Sequence, residues 1–149
     1  RPVFGLVCGA WVEPRDKLFE AGLAAGRHAD RLVWPGHVED PIAWMSACDA
    51  IVLPAVDEPL SRVGVEAQSL GLPPIVSSSG GLREVVEDGV SGWVIDPDDR
   101  QGWIAAVRRM LDDRARRADM ARASIAAAAE LSVARHVDRI EAISDSLLA

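Results

Sequence analysis

Short, nearly continuous apolar runs alternate with longer helical patterns as far as Ile95, and this alternation is the strongest constraint on the fold. The runs are Val3–Cys8, Arg31–Trp34, Ala50–Leu53, Pro74–Ser77 and Trp93–Ile95. A strand covered on both faces has no solvent side to fill with polar residues, so runs of this kind mark a parallel sheet flanked by helices. Between them the spacing predicts helices over Pro14–Ala25, Pro41–Ala47, Arg62–Leu70 and Leu82–Glu87. Pro14 and Pro41 suit a first helical turn, where the missing N–H is not needed, and Gly36, Gly71, Gly89 and Gly92 fall at turns. Residues 98–149 carry helical patterns only. Ile104, Val107 and Leu111 form one apolar stripe there, and Val133, Val137, Ile140 and Leu147 another. The stretch between them, Arg114–Glu130, is rich in Ala and Arg and reads as a solvated helix. The expected fold class is α/β, a parallel sheet with helices on both faces and an all-helical C-terminal tail.

Residues 1–149 are one domain's worth of chain. With 49% hydrophobic and 26% charged residues, the composition is that of a globular protein rather than a disordered one. A formal charge of −7 argues against a nucleic-acid partner, which needs a basic face, and against docking on anionic lipid. No apolar run approaches the roughly 20 residues of a transmembrane segment, and no signal peptide is recognisable. Cys8 and Cys48 lie in apolar segments at no metal-binding spacing, and read as reduced core thiols of a cytoplasmic protein. His28, His37 and His136 are too scattered for a ligand cluster, so no metal site is expected. The chain opens at Arg1 directly before an apolar run, which points to a piece of a longer polypeptide.

The chemistry-bearing segment runs from Asp57 to Pro97. Glu58 follows the third predicted strand, where ligands gather in open α/β sheets. Glu66, eight residues on, shares a helical face with Val63, Ala67 and Leu70, so it interrupts an apolar stripe. A carboxylate there needs a partner, either a hydroxyl-bearing ligand or a structural one such as backbone donors or an Arg. Residues Ser61 to Gly64 would present backbone N–H groups at a helix start, an anion site suited to a pyrophosphate, although Ser61 also suits a plain N-cap. The run Ser77-Ser78-Ser79-Gly80-Gly81 joins a strand end to a helix start, where glycines allow a tight turn or close backbone approach. There is no G-x-x-x-x-G-K-S/T and no G-x-G-x-x-G after a strand, so a P-loop and a dinucleotide fingerprint are both unsupported.

Together these elements resemble the family 4 retaining glycosyltransferases, which have the GT-B fold of two Rossmann-like domains. The matching positions are Glu58 and Glu66, Ala67, Gly71 and Pro73, Gly80-Gly81 with Glu84, Asp88-Gly89, Gly92 and Pro97. Upstream, Leu32 through Gly36, Asp49, and Leu53-Pro54 are also similar to the family pattern. The resemblance implies a C-terminal nucleotide-sugar-binding domain whose donor is a UDP- or GDP-linked hexose, with no cofactor and no metal. Glu66 would accept hydrogen bonds from the ribose hydroxyls, and Glu58 would contact the donor sugar and support charge at its anomeric centre. The backbone around Leu60, Ser61 and Arg62 would hold the pyrophosphate, and the loop through Gly36, His37 and Val38 would lie beside the base. Retention by front-face displacement would then rest on positioning and on stabilising the leaving pyrophosphate. The family's usual Phe-Gly after the first Glu is Leu60-Ser61 here.

Val3–Gly9 followed by Gly36 matches the family's second strand and the unit after it, which would leave the first strand–helix unit and the N-terminal acceptor domain outside this sequence. Alternatively Val3–Cys8 is the first strand, one unit is deleted, and Arg15 and Lys17 replace the family's basic pair. The Gly9-to-Gly36 spacing fits the first alignment without a gap. Under it, this chain binds a donor and does not turn over alone. Two other functions compete: a non-catalytic nucleotide-binding or interaction module, and a sugar-nucleotide epimerase or hydrolase of the same fold. The latter needs acid–base groups beside the sugar, for which only His37 and the carboxylates offer candidates.

Overall fold

The computed structural model describes residues 3–9, 26 and 29–148. It divides into two compact units, Arg1–Pro41 and Ile42–Ala149. In the first, strand β1 (Gly5–Cys8) pairs in parallel with β2 (Leu32–Gly36), which a 3-10 turn at Ala29–Arg31 leads into. The register places Gly5 beside Leu32 and Leu6 beside Val33, then slips before Cys8 meets Gly36. Gly36 adopts a φ of 76° at the end of β2, and its carbonyl accepts the Gly9 N–H at 2.9 Å. The predicted helix Pro14–Ala25 lies outside the described residues. Cys8 is exposed and Cys48 half-buried, so neither is the core thiol expected from its apolar neighbours.

Helix α1 (Pro41–Ser46) begins at the proline placed there by its spacing. The second unit is built on a parallel sheet of β3 (Ile51–Leu53), β4 (Pro74–Ser77) and β5 (Trp93–Ile95), in that order. Helix α2 (Arg62–Ser69) crosses from β3 to β4, and α3 (Leu82–Val85) from β4 to β5. The tail then forms α4 (Arg100–Asp112), α5 (Arg114–Glu130) and α6 (Val133–Leu148). Asp99 and Asp113 cap α4 and α5, accepting the N–H of Gly102 and of Arg116 at 2.9 Å each. These are the side chains that prefer such positions, because their oxygens reach an otherwise unbonded first-turn donor.

Consecutive residues of a strand face opposite ways, and the central strand β4, buried throughout, therefore organises two cores. Ile75 packs with Ala106, Met110 and Met120 of α4 and α5, while Val76 packs with Leu82 and Val86 beside α3. Helices thus cover both faces of the sheet, as the unbroken apolar runs predict.

The tail helices differ from expectation in which side they bury. In α4 the buried residues are Ala106 and Met110, with Trp103 and Val107 packed beside them, whereas Leu111 is exposed. Helix α5 is not wholly solvated: Met120, Ser124 and Ala128 form a buried line of small and flexible side chains at four-residue spacing. Ser124 is fully buried, and its hydroxyl donates to the Ser91 carbonyl at 2.6 Å. Small residues let α5 approach closely, which a count of apolar side chains misses. Helix α6 buries none of its residues.

Candidate functional site

The loops that follow β3 and β4 both leave the same edge of the sheet, because the two strands run parallel. Residues 54–61 form the first of these loops and residues 78–81 the second, and they are locked together. The Gly81 N–H donates to the Glu58 carbonyl at 2.8 Å. A Cβ on Gly80 would collide with the Glu58 backbone, and one on Gly81 with the carbonyl of Pro59. Gly80 also has a φ of 77°. The close approach anticipated for this glycine pair is therefore an approach to the neighbouring loop. The hydroxyl of Ser79 accepts the Asp57 N–H and donates to Asp57 Oδ1, both at 3.0 Å.

Helix α2 starts where the first loop ends. Ser61 occupies the N-cap with extended geometry, φ −75° and ψ 112°, but its buried side chain makes no capping bond. Its carbonyl instead accepts the N–H of Gly64 at 3.1 Å and of Val65 at 3.3 Å. The Gly64 N–H is thus used, whereas those of Arg62 and Val63 have no partner among the described residues, and the Ser61 hydroxyl leaves them as they are. The N-terminal end of α2 therefore carries the donors and the positive end of the helix dipole that an anion needs. Leu60 and Arg62, on either side of Ser61, are exposed.

Glu58 and Glu66 are both half-buried. Among the described residues neither carboxylate has a hydrogen-bond donor or a cation as partner. The structural alternatives weighed for Glu66, capping backbone donors or pairing with an Arg, thus find no support in the described contacts. The buried stripe does not hold as expected, because Val63 and Leu70 are exposed. The side of α2 that faces the core runs along Gly64, Ala67 and Gln68. Gly64 permits that packing, since a Cβ there would lie 2.9 Å from Leu82 Cδ2. Glu66 sits at the border of this face, which costs a carboxylate far less than full burial.

The second unit thus assembles Glu58, Leu60, Ser61, Arg62 and Glu66 along one loop–helix junction. Gly36 ends β2 in the first unit, and His37 and Val38 follow it, His37 exposed and Val38 half-buried. Asp57 and Ser79 escaped the sequence reading as a pair. Their only signals there were an acid beside Glu58 and a serine before two glycines. No group of three or more His, Cys, Asp or Glu that could hold a metal occurs among the described residues. No helix among them is long and apolar enough to cross a membrane.

The family model described as glycosyl transferases group 1 matches residues 4–127. A D-inositol 3-phosphate glycosyltransferase of Salinispora tropica is 34% identical over 121 residues, covering 80% of this chain and 25% of that protein. The chain therefore spans about a quarter of the length of that relative. Among solved structures, Anabaena HepE in complex with UDP superposes with a TM-score of 0.83 at 27% identity, over 97% of this chain and 41% of the other. The same protein in complex with UDP-glucose gives a TM-score of 0.79 over the same shares. A sucrose-phosphate synthase from Thermosynechococcus elongatus shares the fold at a TM-score of 0.80 and 23% identity, over 96% of this chain and 38% of the other.

Proposed function

This chain belongs to the glycosyl transferases group 1 family, and on that premise we propose that it is the donor-binding part of a retaining hexosyltransferase that uses a UDP-linked sugar. The observation that carries the proposal is that two carboxylates without a partner among the described residues, Glu58 just before the α2 N-terminus and Glu66 within α2, flank that helix start. A nucleoside diphosphate sugar offers what each of the three features lacks. Its ribose hydroxyls donate to Glu66, its pyrophosphate accepts from the backbone around Leu60–Arg62, and its sugar hydroxyls reach Glu58. The choice of UDP follows from HepE, whose complexes contain UDP and UDP-glucose. The loop through Gly36, His37 and Val38 is assigned to the base by resemblance.

In this reading the chemistry belongs to the donor and the protein supplies positioning and charge. The leaving pyrophosphate gains negative charge as the glycosidic bond breaks, and the α2 N-terminus stabilises that charge as it develops. Glu58, with no cation beside it among the described residues, opposes the positive charge that builds at the anomeric centre. The acceptor hydroxyl attacks the face from which the nucleoside diphosphate departs and passes its proton to the departing phosphate oxygen, so the new C1–O bond replaces the old one with configuration retained. Groups that hold the acceptor come from a further, N-terminal domain, in keeping with the greater length of the relatives. Residues 1–149 alone bind the donor without transfer.

The test is the melting temperature of the chain with UDP, GDP and ADP, and with their sugar conjugates. A ligand at 100 times its dissociation constant adds about 2.7 kcal/mol, which for a domain of this size raises the melting temperature by roughly 5–10 °C. The proposal expects that rise with UDP and UDP-glucose, and its loss in Glu66→Ala. A rise with GDP or ADP alone would replace the base. No rise with any nucleotide would remove the donor site and leave a non-catalytic interaction module.

A further inference from the structure

We infer that Asp57 and Ser79 form a positioning pair that holds Glu58 toward the sugar of the donor. The inference deepens the donor-site reading above and rests on it. Asp57 is the one non-glycine residue with positive φ among those described, at 57°. Aspartate tolerates the left-handed region better than most residues, yet the conformation persists only where its surroundings enforce it. Here the enforcement is reciprocal. Ser79 Oγ accepts the Asp57 N–H and donates its own proton to Asp57 Oδ1, at 3.0 Å each. The Ser79 N–H in turn donates to Ser77 Oγ at 3.1 Å, and Ser77 is fully buried at the end of the central strand. The grip on Asp57 is therefore anchored in the sheet.

Glu58 is held from both sides by this arrangement. The residue before it is locked by Ser79, and its own carbonyl is bound by the Gly81 N–H at 2.8 Å. Its side chain has no partner among the described residues, so the two loops fix its backbone and leave its carboxylate to a ligand. A change of φ at residue 57 would swing Glu58 away from that position. Glu66 lies on α2 and shares no hydrogen bond with Ser79 or Asp57, so the nucleotide end of the site does not depend on the pair. The Asp57 carboxylate is engaged by Ser79 and serves geometry, while Glu58 meets the sugar.

The pair is tested by calorimetric titration of UDP and UDP-glucose into the full chain, unmodified and as Ser79→Ala, Ser79→Thr and Asp57→Ala. Removing the hydroxyl should leave UDP affinity unchanged and lower the ratio of UDP-glucose to UDP affinity about tenfold, the worth of one charge-assisted hydrogen bond. Ser79→Thr retains the hydroxyl and should restore the ratio. Asp57→Ala, at an exposed position, should show the loss in a chain whose core is untouched. An unchanged ratio in both Ser79→Ala and Asp57→Ala overturns the inference. So does an equal weakening of UDP and UDP-glucose, which is what general loosening of the site would produce. Failure of the unmodified chain to bind UDP would instead overturn the donor site itself, and the pair's role with it.

Discussion

Gly81 donates its N–H to the carbonyl of Glu58 at 2.8 Å, and its missing Cβ is what lets the two loops lie against each other. Two segments more than twenty positions apart in sequence thereby become one rigid platform. Its rigidity matters because positioning is most of what the proposed chemistry asks of this protein.

Gly81→Ala would drive a methyl group into the Pro59 carbonyl, a backbone atom that cannot turn aside. The loops must separate, and the substitution should lower stability by roughly 1–3 kcal/mol, as overpacking does. Urea denaturation measures this directly. UDP-glucose binding should weaken along with stability, since Glu58 moves with the loop.

Glu66→Gln should behave in the opposite manner. Its carboxylate has no protein partner among the described residues, so stability should stay within about 0.5 kcal/mol of the unmodified chain. Affinity for UDP should nevertheless fall by roughly 1.5–3 kcal/mol, the worth of hydrogen bonds to a charged group. Chemical denaturation and calorimetric titration, run side by side, separate the two effects. A parallel loss of stability would show that Glu66 is structural.

Gln68 lies fully buried on α2, with Nε2 donating to the Val85 carbonyl at 2.9 Å and Oε1 without a partner. Gln68→Leu removes the unsatisfied oxygen but also takes the donor from the half-buried Val85 carbonyl, and should cost about 1–2 kcal/mol. Gln68→Glu places a carboxylate at the same buried position, with no cation paired to it among the described residues, and should destabilise by about 3–5 kcal/mol at neutral pH, comparable to stranding a buried charge. The order of the two denaturation midpoints is the check.

Ser124→Ala should cost about 1–2 kcal/mol. The hydroxyl at this fully buried position reaches the Ser91 carbonyl at 2.6 Å, and its loss strands an acceptor in the interior. Ser124→Val keeps the site apolar but adds bulk on the side where α5 lies close, and should be worse. Thermal melts of both variants decide it.

Local sequence determined the elements and their order. Every described strand falls within or beside a predicted apolar run, with Pro74–Ser77 and Trp93–Ile95 reproduced residue for residue. Pro41 does begin a helix, as its place before the apolar pattern predicts. Such signals are legible because they depend on neighbours a few positions away. Glu58 and Glu66 were legible too, through their spacing and the glycines around them. Tertiary structure decided what those residues face. Val63 and Leu70 share a helical face with Glu66 but are exposed, because Leu82 approaches α2 along Gly64. The buried line Met120, Ser124, Ala128 carries almost no apolar periodicity, and only the partner surface makes it an inside. The left-handed turn at Asp57 depends on a serine 22 positions away. A contact across that distance exists only once β3 and β4 lie side by side, so folding, rather than any local preference, places the candidate site's backbone.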